Sequence, residues 1–176
     1  MYIVLGRFQP FHNGHVHLVE TALKLGPTII AIGSAQESWT FDNPFSGDER
    51  EEMITGWVGQ KNLKIVQIDD LNDPPNWVEH AIKFHGEGTM VTSDESIKKL
   101  YEQAGFPVKW VDLSQRDSLE GWRVRTTMKM LSTIMDDEAQ TKILSETIPV
   151  EIVEWLVEND ALYRFYELSR DLGQVG

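Results

Sequence analysis

The chain has 176 residues, of which 41% are hydrophobic and 25% are charged, and these proportions suit one globular domain with a buried core. A formal net charge of −12 would repel a polynucleotide backbone, although a local arginine cluster can still hold a small anion. The absence of cysteine excludes a disulfide framework, a thiolate metal site and a cysteine nucleophile. Because no apolar run reaches the roughly 18 residues of a membrane span, we expect a cytoplasmic protein with neither nucleic acid nor membrane as a partner.

Short apolar runs alternate with longer amphipathic segments through most of the chain. Five runs have the composition of buried strands, at residues 2–5, 28–32, 63–68, 89–92 and 107–111. Helical spacing of apolar residues predicts helices at 14–25, 47–58, 77–84, 94–104, 121–134, 149–158 and 161–172. This alternation predicts an α/β, Rossmann-like fold, with an open, mainly parallel sheet and helices on both faces.

No linker, repeat or low-complexity tract divides the sequence, so we expect a single domain over residues 1–176. Within it, residues 1–135 form the predicted α/β core and residues 136–176 a helical C-terminal extension. The first part of the extension, 136–160, is strongly acidic, and we interpret it as a solvated face.

A segment with the sequence GRFQPFHNGH, at residues 6–15, joins the first predicted strand to the first predicted helix. In an open parallel sheet this loop lies at the carboxyl end of a strand, where ligands bind. Gly6 lets the backbone approach a ligand closely, Pro10 stiffens the loop, and Gly14 allows a tight entry into the helix. The segment therefore predicts a ligand-binding loop.

Two histidines in this loop point to an anionic ligand. His12 and His15 are three residues apart at the helix start, so both imidazoles can point the same way and donate to phosphate oxygens. The helix N-terminus adds free N–H groups and partial positive charge, and Arg7 adds a permanent planar cation. The same spacing can bind a metal, but no nearby carboxylate or third histidine completes a site. We therefore predict phosphate binding and no metal ligands from the protein.

This segment resembles the HxGH-type signature of the nucleotidyltransferase superfamily, in the form found in archaeal-type nicotinamide-nucleotide adenylyltransferases. The P-loop and dinucleotide-fold fingerprints are absent. The resemblance covers residues 1 to about 130 and implies that ATP and nicotinamide mononucleotide are joined into NAD and pyrophosphate. It also implies substrate contacts from Gly6, Phe8, Gln9 and Gly14.

Two polar segments farther along, GSAQES at 33–38 and NPFSGDER at 43–50, resemble segments of the same family. A polar loop at the carboxyl end of a strand can donate hydrogen bonds to a ribose or an amide. The resemblance assigns substrate contacts to Gly33, Ser34, Ala35, Gln36, Glu37, Asn43 and Arg50. Two other interpretations stay open: Glu37 can be a solvated surface residue, and Arg50 can pair with Glu49 or Glu51.

Asn76 and Trp77 resemble the family's N-x-x-W segment, in which the tryptophan stacks on the nicotinamide ring. Asn72 lies five residues before Trp77 and Asn76 one residue before it, so either asparagine can be the one that contacts the substrate. A tryptophan at the start of a short helix can instead be a core residue. We favour stacking on the ring.

Residues 118–123, SLEGWR, resemble the family's Ser-x-Thr-x-x-Arg segment, which closes the triphosphate site. Ser118 and Arg123 keep the spacing, whereas Glu120 puts a carboxylate where a phosphate-binding hydroxyl is expected. That replacement is unfavourable unless Glu120 turns outward or meets a metal ion or an arginine. Three of the chain's seven arginines fall in this region: Arg116, Arg123 and Arg125. We expect Arg123 to bind phosphate.

The implied reaction needs no general base, because the attacking phosphate of the mononucleotide is already ionised at pH 7. Catalysis should come from in-line alignment and from neutralising charge on the departing pyrophosphate. We assign His12 and His15 to the α- and β-phosphates, Arg7 and Arg123 to the β/γ end, and Mg²⁺ to a role as an ion brought in by ATP.

Two alternatives remain for the function. The same chemistry could serve another phosphorylated acceptor, such as nicotinate mononucleotide, phosphopantetheine or a sugar-alcohol phosphate. The replacement at Glu120 also fits a nucleotide-binding regulator that has lost turnover. We expect a homo-oligomer, and the aromatic C-terminal residues Trp155, Tyr163, Phe165 and Tyr166 suit an interface or a core.

Overall fold

In the computed structural model, which describes residues 1–59, 61–71, 73–113 and 119–172, five strands form a parallel sheet. The strands are β1 (Tyr2–Gly6), β2 (Thr28–Ile32), β3 (Leu63–Gln67), β4 (Thr89–Thr92) and β5 (Val108–Trp110). Their order across the sheet is β3-β2-β1-β4-β5, and each neighbouring pair runs parallel. The predicted Rossmann-like α/β fold is confirmed.

Eight α-helices occur in the described part of the chain. They are α1 (Asn13–Leu25), α2 (Gly47–Val58), α3 (Trp77–His85), α4 (Glu95–Gln103), α5 (Gly121–Leu131), α6 (Asp137–Leu144), α7 (Val150–Glu158) and α8 (Ala161–Leu172). A 3₁₀ turn, Pro74–Asn76, leads into α3. The sequence did not predict α6 as a separate helix, because only Gln140 and Leu144 of its eight residues are buried. Among the described helices, none has both the length and the apolar character needed to cross a bilayer.

The chain divides into two compact units. The first comprises Met1–Arg7, Gly14–Gln36 and Gln60–Ser114, and the second comprises Phe8–Asn13, Glu37–Gly59 and Gln115–Gly176. The sheet, α3 and α4 belong to the first unit, and α2 and α5 to α8 belong to the second. A single functional domain over residues 1–176, with a core up to 135 and an extension after it, remains a proposal.

Strand order places a switch point inside the first unit. From β1 the chain moves outward to β2 and β3 on one side, and then to β4 and β5 on the other. All five residues of β2 are buried, as expected for an inner strand covered on both faces. The crevice outside the carboxyl ends of the strands, at the switch between β1 and β4, is where open α/β sheets bind ligands. Arg7 directly follows β1 and therefore lies at that edge.

The second unit is built around helix packing. Its helix α2 contacts α7, and α7 in turn contacts α6 and α8. The predicted cap of α2 is confirmed, because the Ser46 side chain accepts a hydrogen bond from the Glu49 N–H at 3.2 Å and the Ser46 N–H donates to Glu49 Oε2 at 2.8 Å. Buried Phe45, Met53 and Phe165 form part of its core.

Candidate active site

In the first unit, the residues after β2 form a tight corner at the sheet edge. The Gly33 N–H donates to the Gly6 carbonyl oxygen at 2.9 Å, and the Ala35 N–H donates to the Ile68 carbonyl oxygen at 3.0 Å. Gly33, Ser34 and Ala35 are all buried. These bonds tie the ends of β1, β2 and β3 together, so the predicted substrate-binding corner is held by backbone contacts.

Asp70 is the centre of a hydrogen-bond cluster at the same edge. Its Oδ2 accepts from the Ser34 hydroxyl at 2.7 Å, and its Oδ1 accepts from the indole N–H of Trp77 at 2.7 Å. The Asp70 N–H donates to Gln36 Oε1 at 2.9 Å. Three predicted substrate residues, Ser34, Gln36 and Trp77, are therefore joined through one aspartate that sequence reasoning missed. The signal for it was weak: an acidic pair, Asp69 and Asp70, just beyond the third strand.

Trp77 carries features of both interpretations offered for it. The ring is half-buried and packs edge-on against Tyr101, with centroids 6.4 Å apart, and it borders the hydrophobic core. Its N–H is fixed by Asp70, which sets the orientation of the ring. Asn76 is exposed, and its amide donates to Asp73 Oδ2 at 2.8 Å. Asn72 lies outside the described residues.

The remaining first-unit residues of the signature lie around the start of α1. Arg7 is exposed, His15 is half-buried in the first turn of the helix, and Gly14 is buried. Gly6 is the last residue of β1. This placement puts the predicted phosphate ligands Arg7 and His15 at the strand end and the helix start, respectively.

In the second unit, the loop of residues 8–12 is wholly buried. Phe8 and Phe11 pack together with ring centroids 5.6 Å apart, and Phe11 packs on Trp57 of α2 at 4.9 Å. The Gln9 side chain donates to the Phe45 carbonyl oxygen at 2.8 Å and accepts from the Phe45 N–H at 2.9 Å. Gln9 therefore cross-links this loop to the segment before α2.

His12 ends the loop and is only 5% exposed. Burial, together with the positive charge of Arg125, lowers the pKa of His12 to about 4, against a smaller opposing effect of a backbone hydrogen bond. The imidazole is therefore neutral at pH 7 and offers one N–H donor rather than two. Any hydrogen bond from this neutral imidazole to an anion would carry no charge of its own, and the nearby positive charge is that of Arg125.

Arg125, in α5, is the charged residue whose field acts on His12. It is 4% exposed, and its guanidinium donates from Nη1 to the Gln9 carbonyl oxygen at 3.2 Å and from Nη2 to Asp42 Oδ1 at 3.1 Å. A Cβ atom at Gly121 would lie 3.2 Å from Nη1, so the glycine leaves room for the guanidinium at the start of the helix. The helix N-terminus adds to the positive potential there.

Arg123 lies on the exposed side of α5. Its Nε donates to Glu120 Oε2 at 3.2 Å, and its guanidinium lies over the Trp122 ring, 4.5 Å from the centroid. Trp122 also donates its N–H to Glu120 Oε2 at 2.8 Å. Glu120 thus meets an arginine, which is one of the conditions under which its replacement of a threonine is acceptable. Ser118 and Arg116 lie outside the described residues.

The other second-unit candidates differ in burial. Arg50 is fully buried, and its Nε donates to the Ser46 carbonyl oxygen at 3.0 Å. Glu49, one of the partners considered for it, binds Arg164 at 2.6 Å. Glu37 is exposed, and the Asn43 N–H donates to the Thr40 hydroxyl at 3.0 Å. Within the described ranges, no group of three or more His, Asp or Glu side chains is placed to hold a metal ion.

The parallel sheet and the H-x-G-H signature at its first strand–helix junction define an α/β protein of the nucleotidyltransferase class. A family model described as cytidylyltransferase-like matches residues 3–151. The nicotinamide-nucleotide adenylyltransferase of Haloarcula marismortui is 32% identical, over 94% of this chain and 85% of that protein. The enzyme of the same name from Picrophilus torridus is 34% identical, over 89% of this chain and 97% of that protein.

The chain therefore belongs to the cytidylyltransferase-like family, among its nicotinamide-nucleotide adenylyltransferases. A solved structure, the bifunctional NMN adenylyltransferase/ADP ribose pyrophosphatase of Francisella tularensis, has the same fold with a TM-score of 0.69 at 19% identity. It covers 92% of this chain, whereas this chain covers 51% of it, so the two share one fold over about half of the larger protein.

Proposed function

We propose that the protein transfers the adenylyl group of ATP to nicotinamide mononucleotide, giving NAD and pyrophosphate. The observation that carries the proposal is the HxGH segment, with His12 held neutral beside the charge of Arg125, in a chain whose relatives bear the name of this activity. The acceptor's phosphate oxygen attacks the α-phosphorus, and the bond from the α-phosphorus to the pyrophosphate oxygen breaks. No proton has to move, because the attacking phosphate is an anion at pH 7.

The chain's own residues act by positioning and by charge. We assign the single N–H of neutral His12, and His15 in the first turn of α1, to the α- and β-phosphates. Arg7 and Arg125 neutralise the charge that develops on the departing pyrophosphate. Arg125 replaces Arg123 in this proposal, because Arg123 is half-exposed and bonded to Glu120, whereas Arg125 is buried where its charge acts on His12. Arg50, fully buried in α2, is a further candidate for neutralising the charge on the departing pyrophosphate.

We assign the acceptor to the Asp70 cluster. Trp77 offers a ring whose direction is fixed by its N–H bond to Asp70, and the Ser34 and Gln36 side chains are ordered by the same residue. A flat cationic pyridinium ring stacks well on an indole. The Asp70 carboxylate also favours an acceptor with a neutral carboxamide over one with a carboxylate, because like charges repel.

Nucleotidyltransferases of this kind generally use a divalent metal. We propose Mg²⁺, brought in as its complex with ATP, and name no protein ligand for it, since the described residues form no carboxylate cage. Such an ion would neutralise phosphate charge when bound. Positioning by His12, His15 and the arginines does not depend on where it sits.

We also propose that the protein assembles as a homo-oligomer in the cytoplasm, where ATP is plentiful. Several large apolar side chains of the second unit are exposed, including Met130 at 69% and Met135 at 98%. Met135, Ile134 and Tyr163 border a groove of about 450 Å³. Apolar surface of this kind favours burial against a second copy. Mass measurement by light scattering tests the proposal, and a mass near 20.2 kDa would contradict it.

The function is tested by mixing the purified protein with ATP, Mg²⁺ and nicotinamide mononucleotide and following NAD with a coupled dehydrogenase. We expect NAD formation in the wild type and its near-complete loss in His15→Ala. His17→Ala is the matched control, because His17 lies in the same helix but is exposed. Pyrophosphate release only with nicotinate mononucleotide, phosphopantetheine or another acceptor would change the substrate. Tight ATP binding without turnover on any of them would instead support the regulator.

A further inference from the structure

We propose that Arg164, in the C-terminal helix α8, is a positioning residue for the nucleotide-binding residues of the second unit. Arg164 acts by holding in place residues 39–46, which precede α2 and are here called the clasp segment. The inference rests on the proposed function, because it takes ATP as the ligand of His12 and Arg125. It gives the C-terminal helices a role in the reaction that neither the signature motifs nor the sequence resemblance indicates.

The first step is the bond between Arg164 and α2. Arg164 Nη2 lies 2.6 Å from Glu49 Oε1, and Nη1 lies 2.8 Å from Glu49 Oε2, so the pair is bidentate. Such a fork fixes direction as well as distance. The Arg164 hydrogen bonds lower the pKa of Glu49, so the carboxylate stays charged at neutral pH. Glu49 also belongs to the capping box with Ser46, at the end of the clasp segment.

The second step joins Arg164 to the clasp segment itself. Nη1 also donates to the Pro44 carbonyl oxygen at 2.8 Å. The guanidinium lies over the Trp39 ring, 4.3 Å from its centroid, and 5.3 Å from the centroid of Phe45. Trp39 is 60% exposed and has a positive φ of 57°, and the guanidinium covers one face of its ring. One side chain therefore contacts both ends of the clasp segment.

The clasp segment in turn contacts the residues that we assign to ATP. Its Asp42 accepts a hydrogen bond from Arg125 Nη2 at 3.1 Å, and its Phe45 backbone exchanges two hydrogen bonds with the Gln9 side chain. Gln9 lies in the same buried loop as His12. Asp42 is itself 74% exposed in its side chain, so its position depends on the segment that carries it. Arg164 thus acts on Arg125 and His12 through backbone and side-chain bonds of the clasp segment.

A purely structural role makes a different prediction. Removing Arg164 leaves the Glu49 carboxylate without its partner in a largely buried ion pair, which is expected to lower stability whatever the pair does for function. A positioning role adds a loss of ATP affinity at temperatures where the variant is fully folded. Affinity for ATP is therefore the measurement that separates the two, and it does not depend on NAD being made.

The experiment compares Arg164→Gln and Arg164→Lys with Arg170→Gln. Arg170 is the matched control, because it lies in the same helix, is exposed and pairs with Glu167 at 3.4 Å. Each protein is titrated with Mg·ATP by calorimetry, its KM for ATP and for the mononucleotide is measured, and its melting temperature is recorded. We expect Arg164→Gln to weaken ATP binding about tenfold, which corresponds to about 1.4 kcal/mol. Its KM for the mononucleotide should stay within about twofold.

Arg164→Lys keeps the charge but cannot form the fork, so we expect partial rescue of ATP affinity. If Arg164→Gln does not fold, the lysine variant carries the test, with a loss of about threefold expected. A lower melting temperature with unchanged ATP affinity in both variants would overturn the inference. A wild type that binds ATP but makes no NAD would refute the proposed function and leave this test intact.

Discussion

The guanidinium of Arg125 donates from Nη1 to the carbonyl oxygen of Gln9 at 3.2 Å, although 116 positions separate the two residues in the chain. This bond joins the first turns of α5 to the loop that ends in His12. A buried guanidinium with a second bond to Asp42 is held in one orientation. A positive group fixed before the substrate arrives stabilises developing negative charge without having to reorganise.

Arg125 is therefore expected to matter far more than Arg123, which the motif spacing predicted as the phosphate ligand. We expect Arg125→Lys to lower kcat/KM for ATP about 100-fold, because a fixed donor to a departing anion is worth that much. Arg123→Lys should change it less than about threefold, as expected for an exposed pair. Steady-state kinetics at saturating mononucleotide measure both, and a larger loss in Arg123→Lys would restore the original assignment.

Gly121→Ala probes the space around Arg125 without touching its charge. The new Cβ would lie 3.2 Å from Arg125 Nη1, closer than an ordinary contact, so the guanidinium must shift. We expect a several-fold rise in the KM for ATP, even though alanine favours the helix by about 0.5–1 kcal/mol. Gly56→Ala in α2 is the control, because nothing lies within 4 Å of its Cβ. Gly56→Ala should gain the same helix stability with an unchanged KM for ATP. An equal KM for ATP in the two variants would count against the proposed role of Arg125.

Asp70→Asn tests the acceptor cluster. The asparagine keeps the size but loses the charge and one acceptor, so the Ser34 and Trp77 bonds cannot both be kept unchanged. We expect the KM for nicotinamide mononucleotide to rise about tenfold, with the KM for ATP nearly unchanged, and the preference over nicotinate mononucleotide to narrow. Asp69→Asn is the matched control, since Asp69 is exposed. A rise in the KM for ATP alone would contradict the proposal, because it would mean that the cluster acts on ATP and not on the mononucleotide.

The buried His12 makes stability depend on pH. Its pKa is lowered from 6.5 to about 4 in the folded protein, so the unfolded chain binds the proton more readily. The stability that this histidine contributes is complete above pH 6.5 and is lost as the pH falls from 6.5 towards 4. At pH 5 the expected loss is about 2 kcal/mol.

Urea unfolding at pH 7.5 and pH 5.0, for the wild type and His12→Gln, measures this contribution. Burial also lowers the pKa of His85, so this histidine also reduces stability as the pH falls. Because His85 is unchanged in His12→Gln, that part of the loss of stability remains in the variant. We expect the stability change between the two pH values to be smaller in His12→Gln than in the wild type. An equal change in both proteins would mean that His12 is not buried as a neutral group.

Local signals in the sequence were enough to predict much of the fold. The bounds of β2 were predicted correctly, because a run of five apolar and β-branched residues is preceded by Gly26-Pro27 and followed by Gly33. The bounds of α2 were also predicted correctly, because Ser46 provides a cap and the apolar residues that follow keep helical spacing. Helix α5 ends at Leu131, three residues earlier than predicted, where Ser132 takes the C-cap position.

The site was harder to predict, because its contacts join residues far apart in the chain. Helical periodicity could have shown which of the two arginines is buried. Arg125 lies on the same side of α5 as the buried residues Val124 and Met128, whereas Arg123 does not. Motif spacing predicts Arg123 as the phosphate ligand, and the kinetic comparison of the two arginines tests that prediction. No local pattern indicates that Asp70 binds Ser34, 36 positions away, or that Arg164 reaches Glu49 across 115. Such bonds depend on the tertiary fold.

The central claim is that the adenylyl group passes directly from ATP to the mononucleotide phosphate. ATP carrying a radiolabel in its α-phosphate, incubated with the protein, Mg²⁺ and nicotinamide mononucleotide, tests it most directly. We expect the label to appear in NAD, with one pyrophosphate released for each NAD formed. Label that stays in ATP or appears only in free AMP, with no labelled NAD, would contradict the claim.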